Sequence, residues 1–326
     1  MKLSKLLIDF LEHLEIEKNR SQKTLRNYDF YLKRFVEWFG DKDPGKIQGE
    51  DVRQYRLWLN RLIDNHGDPL KKNTQNYHLI ALRSFLKYLS KRDIETLAPE
   101  KIELMKMPDR EVSFLDEAEV SRLLDAPLKQ KNMKILQEKN RKVPSTALIL
   151  LRDKAILEML FSTGLRVSEL AKLKKENVNL KREEFSVTGK GSKRRIVFLS
   201  EQAKYHLKRY LDARSDINPF LFISHDKRTG NKQKLGNSED LALTSRSIQR
   251  IVQKWAKVAG ITKPVTPHTL RHSFATDLLG SGADIRSVQT MLGHSSITTT
   301  QIYTHITDQG LRNIHKKFHG KKRKGD

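Results

Sequence analysis

One stretch near the C-terminal end of the chain collects side chains that can handle phosphate: His268-Thr-Leu-Arg271-His272, then Leu292-Gly-His294, then Tyr303. His294 follows Arg271 by 23 positions, and Tyr303 follows His294 by nine. Another arginine stands upstream in Thr163-Gly-Leu-Arg166-Val-Ser-Glu169-Leu170. Guanidinium groups grip phosphate oxygens with a planar fork of donors, and a tyrosine can act as a covalent nucleophile. The set therefore points to phosphoryl transfer carried by side chains alone. His268 and Arg271 are three apart, so they share one face of a helix, and Pro267 suits that helix's first turn. Gly293 predicts a tight turn that aims His294, with Tyr303 on a further short helix.

Singly, each piece has an ordinary structural use. An arginine in a Gly-Leu-Arg turn serves as a surface ion pair, a Gly-Lys-Gly tip as a plain turn, and His272 as a packing residue. The Gly189-Lys190-Gly191-Ser192 run lacks the spacing of a Walker A loop. His268 and His272 lie at i, i+4, but position 269 is Thr rather than the Glu of His-Glu-x-x-His. No metal site and no bound cofactor are expected. It is the joint order and spacing of the pieces that carries the chemical reading.

Helices must position these groups. Leu3, Leu6, Leu7, Phe10, Leu11 and Leu14 recur at helical spacing, as do Leu25, Tyr28, Leu32, Phe35, Val36 and Phe39 between a Ser21 cap and a Gly40 stop. Two more stripes are Val52, Tyr55, Leu59, Leu62, Ile63 and Ala81, Leu82, Phe85, Leu89. Four such helices bury one small core, with Lys23, Arg26, Lys33, Arg34, Lys71, Lys72, Arg83 and Lys87 on their outer faces. Residues 97–112 contain Pro99 and Pro108 without periodicity and read as a linker. A helix is expected from about Asp116, with Val120, Leu123 and Leu124 inward, and a buried one over 147–162, stopped by Gly164. Over 185–199 the period changes from 3.6 to 2, with Phe185 and Val187 alternating on one arm and Ile196 and Phe198 on the other. That is a β-hairpin with Lys190 near its tip. Helices resume over 203–211 and again with Ile248, Ile251, Val252, Trp255 and Val258, closed by Gly260. The lysine-rich 129–145 stretch and the 226–240 stretch read as loops. The fold class is mainly α with a small β-hairpin.

Composition narrows the partner. Across 326 residues, 63 Lys and Arg oppose 39 Asp and Glu, a formal net charge of +24. A basic excess spread along the chain favours a polyanion. No run of about 18 apolar residues exists, which argues against a membrane span. Cysteine is absent, which rules out disulfides, thiol nucleophiles and Cys-ligated zinc. The N-terminus lacks a secretory h-region, so the cytoplasm is the expected location. The Lys321-Lys-Arg-Lys324 run reads as a phosphate-seeking tail.

On these motifs the chain resembles the tyrosine recombinases of the phage integrase family, Xer-type site-specific recombinases above all. Thr163 to Leu170 resembles the family's first arginine motif, His268 to His272 its His-x-x-Arg motif, and Leu292 to His305 its nucleophile segment. Lys190, 24 residues after Arg166, stands where the family places a hairpin lysine. The resemblance implies an N-terminal helical core-binding (SAM-like) domain over 1–98, a linker over 99–112, a catalytic domain over 113–319 and a basic tail over 320–326. It implies that Tyr303 attacks the scissile phosphate to form a 3′-phosphotyrosine, assisted by His268. Arg166, Arg271 and His294 would stabilise the charged phosphate, and Lys190 would protonate the leaving 5′ oxygen. Glu169 would orient nearby basic groups. The partner would be double-stranded DNA, held by a homotetramer or heterotetramer on two sites, with residues 310–318 as a docking helix.

Some features depart from that pattern. The 129–145 and 226–240 stretches look long for it, Asp277 stands where many relatives carry histidine, and no arm-binding domain precedes the first helix. The last point favours a simple recombinase of dimer resolution over an elaborate phage integrase. An integrase of a mobile element, a catalytically silent DNA-binding relative, a basic RNA-binding protein and a metal-dependent nuclease are the competing readings.

Overall fold

The computed structural model describes residues 1–63, 67–106, 113–129, 144–182, 184–189, 194–225 and 241–293. The chain divides into two compact units, Met1–Arg110 and Glu111–Asp326.

The first unit is built on α1 (Leu3–Ile16), α2 (Gln22–Phe39), α3 (Gly49–Arg61) and α4 (Lys72–Ser90). Local chemistry sets their ends. Ser21 accepts a hydrogen bond from the Thr24 N–H at the start of α2, and Gly40 closes it with φ of 91°. Asp51 accepts from the Gln48 N–H at the start of α3, 2.8 Å away. The apolar stripes converge as their spacing predicts, with Leu3, Phe10, Leu32, Phe35, Tyr55, Leu59, Leu82 and Phe85 all buried in one cluster. Two expectations shift. α3 stops at Arg61, so Leu62 and Ile63 leave the stripe, and Ile63 is exposed and bridges to Pro69. Of the expected linker, residues 99–106 belong to this unit. Pro99–Lys101 form a 3-10 turn, Ile102 is fully buried in the cluster, and the Met105 N–H donates to the Asn76 side chain at 3.2 Å. A single apolar plug between prolines has no period to reveal it. Residues 107–112 lie outside the described residues.

The second unit is arranged around α6 (Ser145–Thr163), which packs against α5 (Glu117–Lys129) and α8 (Glu201–Asp212). Every position of α6 from Leu150 to Leu160 is buried, including charged ones. Those charges are paired: Arg152 donates to Asp153, Trp255 Nε1 donates to the other Asp153 oxygen at 2.9 Å, and Lys154 meets Glu158 at 2.7 Å. α7 (Val167–Lys172) follows at once. The hairpin pairs β1 (Glu184–Thr188) with β2 (Arg194–Phe198) antiparallel. α9 (Ser245–Val258), α10 (Pro267–Gly280) and α11 (Ile285–Leu292) complete the unit. Val258, expected inward, is half exposed at the last turn of α9.

The hairpin exists where expected, and its pairing decides which of the alternating sets faces inward. Phe185 lies opposite Val197 and Val187 opposite Arg195, and directly opposed residues share a face. The buried face is therefore Phe185, Val187, Val197 and Arg195, and Ile196 and Phe198 point to solvent. The loops expected at 129–145 and 226–240 lie almost wholly outside the described residues, except that Lys129 ends α5 and Ser145 starts α6.

Candidate active site

Gly164 ends α6 in the left-handed region, with φ of 57°. Two residues later, Arg166 caps α7, whose Glu169 accepts from the Arg166 N–H at 2.8 Å. This box turns the Arg166 side chain back over Glu169, and Nη1 donates to Glu169 Oε1 at 2.9 Å. Arg271 sits in the second turn of α10, a helix started by Pro267 and capped by Thr266, which accepts from the Thr269 N–H. α11 ends at Gly293, in the left-handed region with φ of 64°.

These elements meet at the end of α11. The last carbonyls of a helix lack partners within it and carry the negative end of its dipole. Here three consecutive carbonyls each accept from a different arginine. Arg195 Nε donates to Met291 O at 3.0 Å, Arg271 Nη2 to Leu292 O at 2.6 Å, and Arg166 Nη2 to Gly293 O at 3.0 Å. Arg271 Nη1 also donates to Gly164 O, which joins the end of α6 to the end of α11. Arg271 is buried, whereas the Arg166 side chain is 29% exposed.

Glu169 is the counterion of the group. Arg195 makes a fork to it, Nη1 to Oε1 at 2.9 Å and Nη2 to Oε2 at 2.7 Å, alongside the two Arg166 contacts. Burial works to raise the Glu169 pKa, but the Arg195 and Arg166 hydrogen bonds and the Arg195 charge outweigh it and hold the pKa at about 2. One carboxylate against three guanidinium groups leaves a cationic site that suits an anion.

Among the residues expected from sequence, the structure brings Arg166 and Arg271 to one helix end and places Glu169 between basic groups. His268 lies one position inside α10, exposed, a turn before Arg271. Lys190, His294 and Tyr303 lie outside the described residues. The chain leading to two of them does not. A Cβ built on Gly189 would lie 3.4 Å from Glu169 Oε1 and 3.6 Å from Arg166 Nη1. Gly293 touches Arg195, a Cβ there falling 2.9 Å from Arg195 Cδ. The residues immediately before Lys190 and His294 are thus part of the arginine cluster. Sequence reasoning missed Arg195, whose one signal is its opposition to the inward-facing Val187.

Comparison with known proteins gives the same two-part division. Residues 113–310 match the phage integrase family, and residues 7–93 match the phage integrase N-terminal SAM-like domain. The chain is 37% identical over 318 residues to tyrosine recombinase XerD of Chlorobaculum tepidum, covering 97% of this chain and 96% of that one. It is 33% identical over 314 residues to tyrosine recombinase XerC of Thermodesulfovibrio yellowstonii, covering 96% and 95%. Among solved structures, its fold is similar to that of XerH site-specific recombinase bound to palindromic difH substrate, with a TM-score of 0.65, 22% identity and coverage of 94% and 82%. It is also similar to lambda integrase (75–356) as a dimer bound to a COC′ core site, with a TM-score of 0.66, 18% identity and coverage of 93% and 95%.

Proposed function

The chain belongs to the phage integrase family and is an Xer-like site-specific recombinase, and from that premise we propose that it cuts and rejoins duplex DNA through Tyr303 and the arginine cluster. The observation that carries the proposal is the meeting of Arg166 and Arg271 at the end of α11, with residues 294–303 continuing directly from it.

In this reading the Tyr303 oxygen forms a bond to the scissile phosphorus as the bond to the 5′ oxygen breaks. A free phenol has a pKa near ~10, so about one in a thousand is ionised at neutral pH, and His268 assists removal of its proton. Lys190 gives a proton to the departing 5′ oxygen as general acid. Arg166, Arg271 and His294 stabilise charge on the non-bridging oxygens, where fixed donors act most strongly in the transition state. The 3′-phosphotyrosine keeps the energy of the phosphodiester, so an incoming 5′ hydroxyl reverses the step on either strand without ATP. Exchange between two duplexes calls for four copies, a homotetramer or a heterotetramer with a sister recombinase, acting in the cytoplasm. By likeness to XerC and XerD, the biological role is resolution of joined replicons. The two units divide the work, the first gripping DNA and the second carrying the chemistry.

The N-terminal unit supplies a surface for the phosphate backbone. Lys23, Arg26, Lys33, Lys72 and Lys87 are exposed on α2 and α4. Between them lie the half-exposed rings of Phe30 and Tyr77, with Arg34 stacked 4.6 Å over Phe30. Cations beside aromatic faces suit nucleic acid.

The test is a denaturing gel after incubation in EDTA with a nicked duplex bearing a site selected by the protein from a random-sequence pool. A protein–DNA adduct is expected, and Tyr303→Phe abolishes it. Absence of any adduct from the wild-type protein leaves DNA binding without cleavage, and cleavage that requires a divalent metal points to a nuclease instead.

A further inference from the structure

We propose that Arg195 is a positioning residue for strand cleavage, holding Arg166 in the pose from which it meets the scissile phosphate. The inference rests on the recombinase mechanism above and adds to it a residue on the hairpin.

All three guanidinium nitrogens of Arg195 are engaged, two on Glu169 and one on Met291 O. Its side chain is 9% exposed. Glu169 in turn holds the Arg166 backbone N–H and Nη1, and Arg166 Nη2 reaches Gly293 O, two residues from Met291. The contacts close a ring from β2 to Glu169 to Arg166 to the end of α11 and back to β2. Each Glu169 oxygen is shared: Oε1 between Arg166 Nη1 and Arg195 Nη1, Oε2 between the Arg166 N–H and Arg195 Nη2. Arg195 thereby decides which lone pairs of Glu169 remain for Arg166, and so which way the Arg166 fork faces.

The hairpin is arranged to permit this. Its register gives Arg195 a buried position opposite Val187 and leaves Ile196 and Phe198 in solvent. Within β2 taken alone, burial of apolar surface would favour Ile196 and Phe198, but the pairing with Phe185 and Val187 places Arg195 on the inward face. Gly293 is the complement, since a side chain there would collide with Arg195 Cδ at 2.9 Å. A lysine at 195 keeps the charge but has one nitrogen, and it cannot serve two carboxylate oxygens and a carbonyl from one plane.

A brace of purely structural value would slow every substrate alike, so the test changes the phosphate. The probe is the nicked selected duplex made with either the natural phosphodiester or a methylphosphonate at the scissile position. The methyl group removes the charged non-bridging oxygen that Arg166 would bind. Adduct formation by Arg195→Lys is expected to fall on the order of a hundredfold on the phosphodiester, and by less than about tenfold on the methylphosphonate, the same pattern as Arg166→Lys. DNA affinity stays within about twofold of wild type. Arg195→Gln, with a shorter neutral amide, provides the same comparison should the lysine variant fail to fold. Equal loss on both substrates, or wild-type rates in a folded variant, would overturn the role of Arg195 while leaving the mechanism intact. A wild-type protein that forms no adduct on either substrate overturns the mechanism itself, and this role with it.

Discussion

Glu169 holds a negative charge where burial opposes one, because two guanidinium groups and a backbone N–H meet its oxygens. Its pKa of about 2, against an ordinary 4.5, gives a definite sign to its effect on stability. A carboxyl depressed on folding stabilises the protein in full above its unfolded pKa and loses that contribution as pH falls through the folded value. Glu169 therefore contributes ~3 kcal/mol near neutrality, and the contribution fades between pH 4.5 and 2. Denaturant titrations of wild type and Glu169→Gln should differ by that order at pH 7, draw together below pH 4.5 and converge only as pH falls toward 2. A gap that persists unchanged at pH 3 would mean that the carboxylate charge is not what stabilises the cluster. Arg195 shows the limit of reading at this scale. A lone arginine in a strand reads as solvent-facing, and only the Glu169 carboxylate from another element turns it inward. Arg166 and Arg271 were legible because their type and spacing carry chemistry of their own.

The helices were legible where a stripe ran several turns between good caps, as in α2 with Ser21 and Gly40, whereas α10 was legible only from Pro267 and the spacing of His268 and Arg271. The hairpin's face was not, because period 2 cannot say which of two alternating sets is inward, and Arg195 decided against Ile196 and Phe198. Ile102 was hidden for the opposite reason, a core residue with no repeat around it. Gly164 joins element to site. It ends α6 with φ of 57°, its carbonyl accepts from Arg271, and Arg166 follows two residues on. A Cβ there would fall 2.6 Å from Phe274 Cδ1 and 3.0 Å from Leu292 Cδ2. Gly164→Ala combines left-handed strain of about 1–2 kcal/mol with overpacking of about 1–3 kcal/mol. A loss of roughly 2–5 kcal/mol by urea unfolding is expected, with slower adduct formation in the folded fraction. Gly260 has φ of 69° but open space around its would-be Cβ. Gly260→Ala should show only the strain, so equal losses at the two positions would rule out the contact with Phe274 and Leu292 as the cause.

Each unit of the molecule has its own apolar cluster, one drawn from residues 3–102 and the other from residues 115–270. What the two share is charge. Among the described residues no helix is long and apolar enough to cross a membrane, and the chain carries a formal net charge of +24. A protein that neutralises phosphates releases condensed counterions, and its affinity falls linearly with salt on logarithmic axes, with a slope of about −0.9 per phosphate contact. With roughly 6–10 such contacts, binding to a duplex of random sequence should weaken on the order of 10³- to 10⁵-fold between 50 and 200 mM salt. Fluorescence anisotropy across that range measures the slope. Lys33 has an Asp29 partner at 2.9 Å and is partly neutralised, whereas Lys87 is exposed in the last turn of α4. If the faces of α2 and α4 track the backbone, Lys87→Ala should reduce the slope by about one, and Lys33→Ala by less. A slope unchanged by either variant, with overall salt dependence intact, would place the phosphate contacts on the second unit alone.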